Sequence, residues 1–124
     1  MKMNDFTAVN TPAQLSNKMI IVRTVNKTIK LSVDEIACFQ GEGNYSTIFL
    51  LNGKKYIVTK TLKHLEYILD DTFIRVHKSF LINSDHIESV YTHDRILKLV
   101  GGKEVSISRR KKKEINQRIS SITA

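Results

Sequence analysis

Two stretches of this sequence carry side chains able to do chemistry on a ligand. The first is Arg75-Val76-His77-Lys78-Ser79-Phe80-Leu81-Ile82-Asn83, and the second is Ser108-Arg109-Arg110-Lys111-Lys112-Lys113. In a nucleic-acid complex, cations meeting phosphates supply much of the affinity, and donors meeting base edges supply the specificity. Lys78 can reach guanine O6 or N7, Ser79 can bond a phosphate or a base, and His77 can do either. Arg109 and Arg110 can make bidentate contacts to guanine or phosphate. Lys111, Lys112 and Lys113 suit phosphates, where a point charge is enough. Each stretch has a plainer reading beside this one. His77-Lys78-Ser79 can be a solvated turn whose histidine bonds only backbone, and a basic run can be a solvated face or tail. Two such clusters around one scaffold favour a binding face.

Other chemistry-bearing residues match no catalytic or metal pattern. Gly41-Glu42-Gly43 lacks the later glycine of a dinucleotide fingerprint, and Gly53-Lys54-Lys55 lacks both the upstream glycine and the following Ser or Thr of a P-loop. Both read as turns. His64, His77, His86 and His93 show no paired-ligand spacing, although His77 and His86 can in principle meet in space. Ser79, His77 and Asp85 have the residue types of a triad, but no nucleophile elbow surrounds the serine. Cys38 lies in the apolar run Ile36-Ala37-Cys38-Phe39 and reads as a small core hydrophobe. The expectation is no enzyme, no cofactor and no metal site.

Twenty Lys and Arg against twelve Asp and Glu leave a formal charge of +8. A surplus of that size attracts polyanions, nucleic acid first and anionic membrane second. Hydrophobic residues at 41% and charged residues at 26% are ordinary globular usage, so disorder throughout is excluded. A single cysteine forbids an internal disulfide and fits a reducing cytoplasm. No apolar run approaches the roughly 18 residues of a membrane span, and no secretory segment follows Met1.

The elements that must hold the two basic stretches are mostly strands. Residues 1–18, with the only proline at Pro12, read as a flexible leader. Residues 19–122 read as one domain. Ile20 to Val25 and Thr28 to Leu31 are strand-like, and Ser32 to Glu35 carries the signature of a capped helical turn. Ile36 to Gln40 is a third strand, followed by a loop at Gly41 to Asn44. Tyr45 to Leu51 and Lys54 to Thr59 flank Asn52-Gly53, a strong hairpin signal. Thr61 opens a helix with Leu62, Leu65, Ile68 and Leu69 on one face, ending at Asp70-Asp71. Phe73 to His77, Ile87 to Thr92, Arg95 to Val100 and Lys103 to Ile107 are further strands, with a capped turn at Ser84-Asp85-His86. A short final helix carries Ile115, Ile119 and Ile122 on one stripe. Many short strands with local hairpins predict antiparallel sheets.

The string Phe73 to Asn83, followed by His86-Ile87, resembles the central signature of the LytTR family of bacterial transcription regulators. Asp34-Glu35-Ile36, Gly43-Asn44-Tyr45, Thr61-Leu62 with Leu65, and Val105 to Arg109 are similar to the family pattern in the same order. The resemblance covers about Met19 to Ile119. It implies a mainly β fold, an elongated stack of small antiparallel sheets with one short central helix and a short C-terminal helix. It also implies sequence-specific binding of double-stranded DNA at promoter direct repeats, with loops in successive major grooves. By motif the contacts are His77, Lys78, Arg109 and Arg110, with Asn44, Tyr45 and Ser46 as a third loop. Ser79 and Asn83 match the pattern too, and their small polar side chains can brace the turn.

Most LytTR domains follow a receiver domain of two-component systems, which needs roughly 120 residues. The short leader here cannot hold one, so the chain reads as a stand-alone regulator or as a piece of a longer protein. A second copy can occupy the adjacent half-site. The rival readings are a single-stranded nucleic-acid binder, which needs exposed aromatics on a sheet face, and a protein-interaction module with an incidental basic tail. Membrane attachment through the final helix is weakened by its short apolar stripe.

Overall fold

The computed structural model describes residues 18–121. The expected leader, Lys18 excepted, lies outside the described residues, as does Ile122. Strands β1 (Met19–Arg23) and β2 (Thr28–Ser32) pair as a two-stranded sheet. One 3-10 turn, Val33–Glu35, leads into β3 (Ile36–Glu42), β4 (Tyr45–Leu50) and β5 (Lys55–Val58). Helix α1 (Leu62–Ile68) precedes β6 (Phe73–His77) and β7 (Phe80–Asn83), which join the same sheet in the order β5-β4-β3-β7-β6. A second 3-10 turn, Ser84–His86, leads to β8 (Ile87–Tyr91), β9 (Ile96–Leu99) and β10 (Glu104–Ser106), a three-stranded sheet. Helix α2 (Lys112–Ser120) follows. Every strand pairing is antiparallel. The mainly β stack with two short helices is the architecture that the sequence led us to expect.

The central sheet is buried on both faces, and strand periodicity explains how. Side chains alternate faces along a strand, so a one-residue slip exchanges them. On β3, Ile36 and Phe39 face one core while Ala37 and Cys38 face the other. The register shifts between Ile36 and Cys38, and this bulge lets two successive residues share a face. The first core joins Phe39, Ile48 and Leu81 to Ile20, Val22 and Leu31 of the small sheet and to Leu62 and Leu65 of α1. The second joins Cys38, Val76 and Ile82 to Leu97, Leu99, Val105 and Ile107, with Ile115 of α2. Each fully buried side chain of this size contributes about 1.5–3 kcal/mol. Cys38 is thus a core residue, and burial raises its thiol pKa to about 11, outweighing the nearby Lys103 charge.

Two local expectations change. The Gly41 to Asn44 loop is shorter than expected, because β3 continues through Glu42 and pairs Gly41 with Ser46 and Glu42 with Tyr45. Only Gly43-Asn44 turns, and Gly43 supplies the positive φ (+74°) of this two-residue hairpin. Gly41 serves another purpose. A Cβ there would lie 2.9 Å from Cγ and Cδ1 of Leu62, so its absence lets α1 pack directly on β3.

Helix α1 also stops earlier than the apolar spacing indicates. Thr61 caps it, its Oγ1 accepting from the His64 amide at 3.2 Å. Leu62 and Leu65 are buried, yet Ile68 is 48% exposed, so it does not share the core face. Leu69 leaves the helix in an extended conformation and packs on the core instead. Asp70 enforces the stop, its Oδ1 accepting from the Thr72 amide at 3.0 Å in a local turn that feeds β6. Burial alone would raise the Asp70 carboxyl pKa. Hydrogen bonds from Thr72 and the Lys18 ammonium outweigh burial and hold the pKa below its ordinary value.

Candidate nucleic-acid interface

The two basic stretches meet at one end of the central sheet. Strand β6 ends at His77 and β7 begins at Phe80, so Lys78-Ser79 is the tip of their hairpin. The Gly41 amide donates to Ser79 O at 2.9 Å, which sets this tip beside the β3–β4 turn. Ser108 donates its amide to Val76 O at 2.9 Å and so docks the start of the second stretch on β6. Arg75, His77, Lys78, Ser108, Arg110 and Lys111 then line one groove of about 570 Å³. The carboxylates of Glu66 and Glu114 complete its wall.

Each side chain has a definable role in this geometry. The Ser79 amide donates to His77 Nδ1 at 3.0 Å, so that nitrogen is an acceptor and the neutral ring carries its proton on Nε2. The ring also packs on Phe80 at 5.8 Å between centroids. His77 therefore presents a fixed donor. Lys78, Arg109 and Arg110 are exposed. Lys111 is different, because its Nζ donates to Arg75 O at 3.1 Å and holds the second stretch against β6. Its amide donates to Ser108 Oγ at 3.1 Å, and the helix carrying Lys112 and Lys113 begins there. Ile115 and Ile119 pack that helix on the second core, and Arg118 donates to Asp71 O at 2.8 Å. The basic run is anchored at both ends.

The third loop is only partly available. Asn44 is exposed at the β3–β4 turn, and Tyr45 beside it is 41% exposed. Ser46 is corrected: it is 0% exposed, and its Oγ donates to Lys60 O at 2.7 Å. Alternation along β4 places Ser46 on the face of Ile48 and Leu50, which is packed, so this side chain does not reach the surface. Asn83 is also internal, and it braces the fold. Its Nδ2 donates to Ile36 O at 3.0 Å and its Oδ1 accepts from the Asp85 amide at 2.9 Å.

No alternative chemistry gathers elsewhere among the described residues. His86 Nε2 donates to Asp34 O at 2.6 Å rather than meeting His77. No group of three or more His, Cys, Asp or Glu is placed to hold a metal there. No helix among them is long and apolar enough to cross a membrane.

The sequence reading included Arg75 in the first basic stretch but gave it no role of its own, and it assigned none to Glu66. Arg75 Nε donates to His77 O at 3.0 Å, Nη2 to Lys78 O at 2.6 Å and Nη1 to Glu66 Oε1 at 3.1 Å. A signal did exist, since Arg75 alternates with the core residues Ile74 and Val76 and so shares the face of Phe73, toward α1.

Comparison with known proteins agrees with this architecture. The model of the LytTr DNA-binding domain matches residues 26–120. A solved LytTr DNA-binding domain from Bacillus cereus superposes with a TM-score of 0.69, covering 84% of this chain and 97% of that one, at 19% identity, a likeness of fold. The heme-containing CO-sensing transcriptional regulator RcoM 1 of Paraburkholderia xenovorans (strain LB400) is 32% identical over 76 residues, 60% of this chain. This chain covers only 28% of that regulator's length. With its three-sheet stack, its basic groove and a family match across most of its length, the chain belongs to the LytTR family of DNA-binding domains.

Proposed function

We propose that this domain binds duplex DNA sequence-specifically at direct repeats to regulate transcription, with its loops in successive major grooves. One observation carries the reading: cationic stretches far apart in sequence share one groove, joined by the Lys111–Arg75 hydrogen bond across 36 positions. His77, Lys78, Ser79, Arg109 and Arg110 are the base and phosphate contacts of this face, with Asn44 and Tyr45 at a flanking loop. Lys112 and Lys113 meet phosphates. The kinship to a transcriptional regulator supports the biological setting. Half-sites about one helical turn apart would seat two copies on the same face of the duplex. This reading places the domain in the cytoplasm, where bacterial DNA lies.

In vitro selection from randomised duplex DNA tests this, repeated with Lys78→Ala and Arg109→Ala. A repeated motif spaced near one turn, altered or lost in the variants, is expected. Recovery of no consensus, with equal retention by the variants, would reduce the binding to non-specific charge and put a protein-interaction role ahead.

A further inference from the structure

The groove contains a guanidinium whose hydrogen bonds are internal. Arg75 contributes three nitrogens to acceptors within the chain, and its side chain is only 21% exposed. Two of those acceptors are the successive carbonyls of His77 and Lys78. A planar fork bound to neighbouring carbonyls fixes the peptide plane between them, which a flexible ammonium cannot do. The β6–β7 register shifts between Arg75 and His77, so a bulge lies beside these carbonyls. Glu66 on α1 accepts from the third nitrogen. The backbone of the same residue receives Lys111 from the other basic stretch.

We propose that Arg75 is the positioning residue of the DNA interface, shaping the His77–Lys78 tip through its side chain and fixing the Arg109–Lys111 segment through its carbonyl. The proposal rests on the DNA-binding reading above. Base-edge recognition demands side chains held to fractions of an ångström, whereas attraction to phosphates tolerates a looser loop. Loss of the fork should therefore harm discrimination between sequences more than affinity for DNA in general. Glu66 has a subsidiary part, since the two carbonyl bonds survive its neutralisation.

The test compares Arg75→Gln, Arg75→Lys and Glu66→Gln with the unaltered chain. Fluorescence anisotropy would measure binding to the duplex recovered by selection and to a scrambled duplex, across a salt series. Amide hydrogen exchange of Ser79 would be followed in the free protein, with thermal unfolding as the check that each variant folds. Both Arg75 variants should lose about tenfold in discrimination. Affinity for the scrambled duplex and its salt slope should hold, and Ser79 should exchange faster. Glu66→Gln should show a smaller loss in the same direction. Full discrimination by Arg75→Lys would overturn the proposal, because the charge alone would then suffice. So would an equal loss on both duplexes with a slope shallower by about 0.9, the mark of a direct phosphate contact. If the unaltered chain does not discriminate, the DNA reading itself fails. Positioning is then judged by exchange alone, and unchanged Ser79 exchange in the Arg75 variants refutes it. If Arg75→Gln does not fold, Arg75→Lys and Glu66→Gln decide the matter by the same measurements.

Discussion

Lys78 and Lys111 have the same charge and line the same groove, yet their removal should read out differently in salt. Lys78 is exposed, with its ammonium available to a phosphate, whereas Lys111 Nζ is hydrogen-bonded to Arg75 O at 3.1 Å. Lys78, Arg109, Arg110 and Lys113 are exposed and Lys112 is half-buried, and the proposed DNA reading has these five cations displace counterions. At about 0.9 per phosphate neutralised, log affinity should fall with log salt at a slope of about −4.5. Between 50 mM and 200 mM salt this is roughly a 500-fold loss of affinity. Lys78→Ala should make the slope shallower by about 0.9, and Lys111→Ala should leave it unchanged while weakening binding at every salt concentration. Anisotropy titrations at four or five salt concentrations on a fixed duplex resolve the difference. Equal slope changes in the two variants would refute the assignment of Lys111 to an internal role. A slope near zero for the unaltered domain would refute the electrostatic footing of the whole interface.

Three further outcomes follow from the packing. Gly41→Ala should cost about 1–3 kcal/mol by urea denaturation, through its clash with Leu62, and less when combined with Leu62→Ala; strict additivity would rule out the close contact. Asn83→Ala should cost about 2–3 kcal/mol, because it removes the donor to Ile36 O and the acceptor for the Asp85 amide; a loss of a few tenths would show that the brace is dispensable. The Cys38 thiol has its pKa raised from 9.0 to about 11 in the folded chain. Its neutral form therefore contributes stability that is complete below about pH 9 and is lost as pH rises toward 11. The limiting loss is about 2–3 kcal/mol. Denaturation of the unaltered chain and Cys38→Ala at pH 8, 9.5 and 11 measures it, and a pH-independent difference between them would contradict the burial argument.

The sequence was most legible where one local rule acts alone. Alternation and turn chemistry marked the strands and hairpins, the Thr61 cap marked the start of α1, and side-chain type marked the two basic stretches that the fold brings together. It was least legible where a residue's role depends on what lies across the sheet. Ser46 read as a loop contact through the family resemblance, but its place in β4 turns it into a packed face, against Lys60 O. Ile68 has the helical spacing of a core residue, yet the chain leaves the helix to enter β6 and Leu69, partly buried, packs on the core instead.

The sequence alone determined the mainly β class, the cationic surplus and which side chains have the chemistry to contact a polyanion, because these follow from composition, period and side-chain type. Tertiary structure alone decided which of those residues face the groove. Strand register and two bulges are set by packing on both sides of the central sheet, and no local pattern encodes them. That packing turns Ser46 inward, sets Lys111 on Arg75 and brings the two basic stretches to one end of the fold. Charge and hydrogen-bonding capacity belong to the residue, but direction and availability belong to the assembled sheets.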